Sequence, residues 1–434
     1  MNVVDTQDVT ATRRNRLLGC VVWRAFAAVG LLIGSAGGAY AGRPLGQPYT
    51  PSSAAVVLQH VPPTTDPRVR KFDQLRTDLK QHPHDAKRAV ALARAYIGYG
   101  RSTGDARYLG RALAVIEPWM GKPQPPIPVQ LVHATIQQSR HFFKAARAEL
   151  THILQRDPGN TQAWLTLATV AMVQGDAKAA NHACVKLAAV GGQFMGIVCS
   201  ASLRSLTGHA DQAYALFSLV DHPGAKVPSA VRAWLQGLMA DTAARLGKTD
   251  AAEKHFKRAL QLTPGDNFLL ADYGDFLLDQ GRPHDVMTLV GNFKASDTSF
   301  LRMVLAEAAL GLPQAEADAA EMAARFAAMD RRGSHVYRRE EAQFVLHIQH
   351  DPQRALQLAM HNWAVQRAPK DARIYLESAL AANDPKAAAP VLDFIARTGL
   401  RDQSIDPLVR KMHAAALAID ATQSNPPSTT EAAP

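Results

Sequence analysis

The stretch that decides the fold is Ala240-Asp-Thr-Ala-Ala-Arg-Leu-Gly247-Lys-Thr-Asp-Ala-Ala252-Glu-Lys-His-Phe256-Lys-Arg-Ala259-Leu-Gln-Leu-Thr-Pro264. Small residues at 240, 252 and 259 let two antiparallel helices approach closely, and Gly247 supplies the left-handed turn that ends the first. Phe256 fills the groove toward the next pair, and Pro264 stops the second helix by removing a backbone donor. The same offsets recur as Ala168, Gly175, Ala180, Cys184, Leu187; as Ala201, Gly208, Ala213, Phe217, Val220; and as Gly274, Gly281, Val286, Val290. An earlier copy, Ala134, His141, Ala146, Leu150, Ile153, Pro158, lacks only the glycine. The marker glycines 175, 208, 247 and 281 lie 33, 39 and 34 residues apart. A hairpin of that length cannot bury both faces alone, so its stability has to come from stacked neighbours.

This small-Gly-Ala-aromatic-Ala-Pro pattern resembles the tetratricopeptide repeat family over residues 86–400. The resemblance implies an all-α, right-handed α-α superhelical solenoid of about nine hairpins, with first helices lining a concave groove. Residues 101–111 lengthen the first turn, and Glu117–Pro128 separates the first two units. Gly311 follows Gly281 by only 30 residues, after which Asp351-Pro352 and Asp384-Pro385 take over as helix-start signals. Asn362–Arg373 also resembles exported bacterial tetratricopeptide proteins of unassigned role.

The 434 residues are 47% hydrophobic and 6% aromatic, with three cysteines. That excludes wholesale disorder, a disulfide-dense scaffold, a multi-cysteine zinc site and an aromatic-rich β-sandwich. Residues 1–41 read as a signal peptide: Arg13, Arg14, Arg16 and Arg24, then an uncharged apolar run from Ala25, then Ala39-Tyr40-Ala41 with cleavage expected after Ala41. An uncleaved anchor is the competing reading. No later segment reads as a membrane span. A proline-rich connector (42–67), a lead-in helix (68–85), a C-terminal capping helix (401–418) and a disordered tail (419–434) complete the expected organisation.

The search for chemistry finds no Gly-x-Ser-x-Gly, Ser-x-x-Lys or His-Glu-x-x-His. Thr242–Thr249 ends in Gly-Lys-Thr but lacks the first glycine of a phosphate loop. His347 and His350 beside Asp351, and His82 and His84 beside Asp85, are pairs without a third ligand fixed by sequence. No catalytic residue, cofactor or metal is therefore expected. By the repeat alignment, Cys184 and Cys199 fall on helices that pack together, leaving a disulfide and two buried thiols as alternatives.

Charge is uneven. Residues 43–160 carry 17 Lys+Arg against 8 Asp+Glu, whereas residues 161–434 carry 27 against 28. In the groove implied by the resemblance, the candidate partner contacts are Lys87 and Arg94 at one end and Asp272, Asp275 and Asp279 at the other. The clamp with which some family members grip a C-terminal carboxylate is absent, its matching places holding Val90, Arg94, Pro128 and Val132. The function expected is an exported, periplasmic, non-enzymatic scaffold for a protein or peptide partner, not for nucleic acid. The alternative is an envelope component contacting anionic glycan or lipid through its basic N-terminal third, with Arg68, Arg70 and Lys71 as the residues whose neutralisation would abolish that contact.

Overall fold

The computed structural model describes residue 53, residues 66–222 and residues 227–424, with side chains to residue 417. The signal segment, its cleavage point after Ala41, nearly all of the 42–67 connector and the tail beyond 424 lie outside the described residues. The chain divides into two units, 1–63 and 64–434, and every described helix lies in the second.

Helix α1 (Pro67–Gln81) leads in. Nine hairpins follow: α2 (Ala86–Thr103) with α3 (Arg107–Met120), α4 (Ile127–Ser139) with α5 (Phe143–Arg156), and α6 (Thr161–Val173) with the first half of α7 (Ala177–Leu206). The second half of α7 pairs with α8 (Ala210–Val220), α9 (Ser229–Arg245) with α10 (Thr249–Leu262), and α11 (Asn267–Asp279) with α12 (Pro283–Val290). Next come α13 (Asp297–Leu310) with α14 (Ala315–Arg331), and α15 (Arg338–His347) with α16 (Pro352–Trp363). Last is α17 (Pro369–Ala381), with a 3-10 turn Pro385–Ala388 that runs into α18 (Ala389–Thr398). Helix α19 (Asp406–Ser424) closes the array, starting later than the capping helix expected from residue 401 because Asp402 first turns the chain through bonds to Ser404.

Each hairpin turns on one left-handed residue. These are Gly104, His141, Gly175, Gly208, Gly247, Gly281, Gly311, His350 and Asn383, with φ between 53° and 81°. Three of the nine are not glycine, which is why the periodicity fades at both ends of the sequence. Asp351 and Asp384, next to two of these turns, cap the following helices by accepting backbone N–H groups of Arg354 and Ala387. Between helices, Ala168, Ala180, Ala240, Ala252 and Ala259 are fully buried, and Phe217 and Phe256 fill the spaces they leave.

Helix α7 corrects one expectation, since it is long and apolar enough by composition to cross a membrane. Yet it folds back on itself at Gly192, whose φ of 82° and ψ of 172° only glycine adopts readily. Its two halves then press together so tightly that a Cβ on Gly196 would sit 2.4 Å from that of Ala188. One face of each half is buried in two neighbouring hairpins, with Ala180, Ala183, Leu187, Val198 and Ala201 at zero exposure, while Val185 and Val190 face outward. A disulfide joins Cys184 to Cys199 across the fold.

The array does not run open-ended. The backbone N–H of Arg367 donates to the carbonyl of Val173 at 2.7 Å, and that of Gln403 donates to the carbonyl of Arg245 at 3.0 Å. The turn at Gly208 lies against the turn at Gly399. The last hairpins thus return to the third, fourth and fifth, and the superhelix encloses its own interior.

Candidate functional site

Two large cavities are lined by the described residues. The first, of about 560 Å³, is lined by the first helices α9, α11, α15 and α17. It contains the acidic trio singled out in the sequence, and the trio is engaged by the chain itself. Lys370 Nζ lies 2.6 Å from Asp272 and 2.9 Å from Asp275, and Arg373 lies 2.6 Å from Asp279. Arg302, almost wholly buried, donates from Nε and Nη2 to the two oxygens of Asp275 at 2.7 and 2.8 Å. Burial opposes the charge on Asp275, but Arg302 and Lys370 outweigh it and hold the carboxyl well below the usual range. Burial likewise opposes the Lys370 charge, and Asp272, Asp275 and Asp241 overcome it and raise the ammonium pKa. Asp241, desolvated and facing Asp272, is pushed up.

The network continues through Arg339, which contacts Glu340 and lies 3.9 Å from Asp371. Asp371 in turn accepts from Asn362, Gln366 and the Ala368 N–H. Among the described residues, then, every Asp, Glu, Lys and Arg lining this cavity has an opposite charge within 4.0 Å. Lys87 and Arg94 do not line it; both are exposed on α2. The structure therefore does not bring the five groove candidates into one surface.

The second cavity, of about 700 Å³, has a different chemistry. Turns rather than helix faces build most of it. The last turn of α2 brings Arg101 and the residues after it Gly104, the α4–α5 turn brings Arg140, His141 and Phe142, and the α14–α15 connection with the start of α15 brings residues 332–338. The start of α11 adds Asn267 and Phe268, and the end of α16 adds Asn362, Val365 and Gln366. Of the lining residues Asp105 alone is a carboxylate, and it is ion-paired with Arg107 at 2.7 Å. Arg101, Arg140, Arg332 and Arg338 have no carboxylate within 4.0 Å among the described residues. Two of them lie over exposed rings, Arg140 4.8 Å above Phe142 and Arg101 5.7 Å above Phe268. Burial holds the His141 imidazole down at about 4, so it is neutral at pH 7.

Sequence reasoning missed this second cavity. Its arginines come from turns and helix ends separated by more than two hundred residues, and no period connects them. The remaining candidates fall elsewhere. His347 faces Glu377 at 3.5 Å, His350 forms a turn and Asp351 a cap, while His82 ends α1 and Asp85 caps α2. No group of three or more His, Cys, Asp or Glu residues suited to a metal occurs among the described residues. Thr242 is buried and bonded to Ser205 and the Leu238 carbonyl, facing no phosphate-sized loop. On α1, Arg68 pairs with Asp66 and stacks on Tyr99, whereas Arg70 and Lys71 are exposed.

No family model and no curated protein matches the chain. Solved structures do. The chain is similar to PilW, a type IV pilus biogenesis factor, at 18% identity over 46% of this chain and 93% of that one, with a TM-score of 0.37. It is similar to a tetratricopeptide repeat protein from Parabacteroides merdae at 12% identity over 71% and 99% of the two chains, with a TM-score of 0.34. Yeast Tom70 is similar at 11% identity over 82% and 86%, with a TM-score of 0.37. Nine hairpins, each turning on a left-handed residue 30 to 39 positions after the last, make the chain an all-α solenoid of tetratricopeptide repeat type.

Proposed function

We propose that the chain is an exported, non-catalytic adaptor that holds a polypeptide partner in the periplasmic space of a bacterial envelope. Export rests on the signal-like residues 13–41. The holding role rests on one observation: every charged group lining the first interior cavity meets an opposite charge, whereas four arginines of the second have no carboxylate within 4.0 Å. A stacked solenoid of this size encloses a surface larger than its own packing needs, and unspent charge on that surface is a binding resource. A photo-cross-linking amino acid at Phe268, inside the cavity, is expected to give a discrete adduct in intact cells. The same group at Val185, exposed on the outer surface, is expected to give none. Identical adduct patterns from both positions would remove the cavity from the account. Export is tested by N-terminal sequencing of the mature protein, which is expected to begin at Gly42.

The second reading, contact with anionic glycan or lipid, keeps one observation in its favour, the exposure of Arg70 and Lys71 beside each other on α1. It requires salt-sensitive vesicle or glycan binding that disappears in Arg70→Gln/Lys71→Gln.

A further inference from the structure

We propose that the second cavity is a receptor for an acidic peptide segment that also carries an aromatic or aliphatic side chain. This rests on the reading of that cavity as the partner site and names the chemistry of the occupant. Four guanidiniums around one space repel one another, and a ligand carrying several carboxylates relieves that repulsion. Stacking fixes the plane of a guanidinium on a ring while its N–H edges stay free for bidentate bonds to a carboxylate. Arg140 over Phe142 and Arg101 over Phe268 are such pairs.

The rings themselves are the second argument. Phe142 and Phe268 are 51% and 52% exposed, among the largest apolar exposures on the molecule, and both line this cavity. Apolar surface left open beside unpaired arginines suits an anchor side chain flanked by acids. The side-chain amide of Gln138 borders the same space and matches the donor and acceptor of a peptide unit. The cavity volume of about 700 Å³ accommodates a short extended segment rather than a folded domain. Because the walls are turns and helix ends from hairpins far apart in sequence, this receptor is distinct from the helix-lined interior that holds Asp272 and Asp275.

The test uses fluorescence anisotropy with the mature chain and labelled octapeptides: Asp/Glu-rich with one Phe, the same without Phe, and the same with Lys replacing the acids. The acidic Phe peptide is expected to bind at least tenfold more tightly than the acidic peptide without Phe, and the lysine peptide not at all. Arg101→Gln/Arg140→Gln is expected to weaken the acidic Phe peptide at least tenfold, and Val365→Trp, which fills the cavity, to abolish binding. Arg147→Gln, which removes an outer-surface pair with Asp176, is expected to leave it unchanged. Should the double variant fail to fold, Arg332→Gln carries the same expectation.

Equal binding of acidic and lysine peptides, or full binding by the arginine variants, overturns the proposal. So does inorganic polyphosphate or an anionic vesicle binding more tightly than the peptide with the same arginine dependence. A cross-link from position 268 without acidic-peptide binding defeats this inference alone, whereas absence of both defeats the adaptor reading as well.

Discussion

At the turn of the second hairpin an imidazole stands where most other turns have glycine. His141 takes φ 61°, a conformation that costs a residue with a Cβ about 1 kcal/mol. Burial then lowers its pKa to about 4, with Glu340 opposing and Arg339 reinforcing the shift. Unfolded histidine protonates near 6.5, so the unfolded chain gains a proton that the folded chain refuses. Stability from this group is therefore full above pH 6.5, falls as pH drops toward 4, and changes no further below. The loss is roughly 3 kcal/mol. Replacing it, His141→Gly, is expected to flatten the pH dependence between 6.5 and 4 and to raise stability at pH 5 by about 1 kcal/mol. Urea unfolding at pH 7 and pH 5 measures this, and an unaltered pH slope would refute it. Glu253 acts in a separate window. Arg282 and Lys257 hold its carboxyl at about 2, so its contribution is present above pH 4.5 and lost as pH falls through 2. At the same scale, the Cys184–Cys199 bond closes a loop with a sequence separation of 15. Cys184→Ala/Cys199→Ala is expected to cost about 3 kcal/mol. Alkylation of the denatured, unreduced exported protein is expected to label neither cysteine, and two labelled thiols would exclude the bond.

The hairpin is the element whose rules were legible in the sequence, because they are local. Alanine at the contact, glycine at the turn and an aromatic on the second helix all fall within 25 residues from Ala240 to Pro264. Where the turn residue is His350 or Asn383, the left-handed conformation survives but its glycine signature does not, since asparagine and histidine visit that region more readily than most residues. The kink inside α7 was marked by Gly191-Gly192, yet its uncharged flanks gave no separate helix starts to count. Turn glycines also differ in what they face, which the sequence cannot display. A Cβ at Gly281 would meet no atom within 4 Å, so Gly281→Ala is expected to cost only the backbone term, about 1 kcal/mol. A Cβ at Gly208 would lie 2.5 Å from the carbonyl oxygen of Gly399. Gly208→Ala adds overpacking against a backbone that cannot swing aside, for a total of about 3 kcal/mol. Thermal unfolding of the two variants side by side distinguishes them, and equal losses would mean that the Gly208–Gly399 contact contributes nothing.

The whole molecule departs from the behaviour of an open solenoid. In such an array each repeat touches only its neighbours, and stability is a sum of nearest-neighbour terms. Here α17 reaches back to α11 across 94 to 98 positions through Lys370 with Asp272 and Asp275, and through Arg373 with Asp279. The acidic trio was visible as one helical face, but its partners were not, because periodicity describes only what lies within a turn or a repeat. These pairs border a cavity, and about a third of the Lys370 side chain remains exposed, so the closure is worth roughly 1–2 kcal/mol rather than the larger sum of a dry buried network. Its greater effect is on cooperativity. A closed array cannot fray from its C-terminal end without first breaking contacts to its middle. Lys370→Ala/Arg373→Ala removes the ionic part of that closure and leaves Arg302 to neutralise Asp275. The variant is expected to keep its helix content while its radius of gyration in solution rises. Its urea transition should broaden into two steps, with the C-terminal hairpins melting first. High salt should shift the parent protein in the same direction but less, because a half-enclosed pair is only partly screened. A variant that unfolds in one step at unchanged sharpness and unchanged size would show that the backbone bonds at Val173 and Arg245 hold the array closed without help from charge.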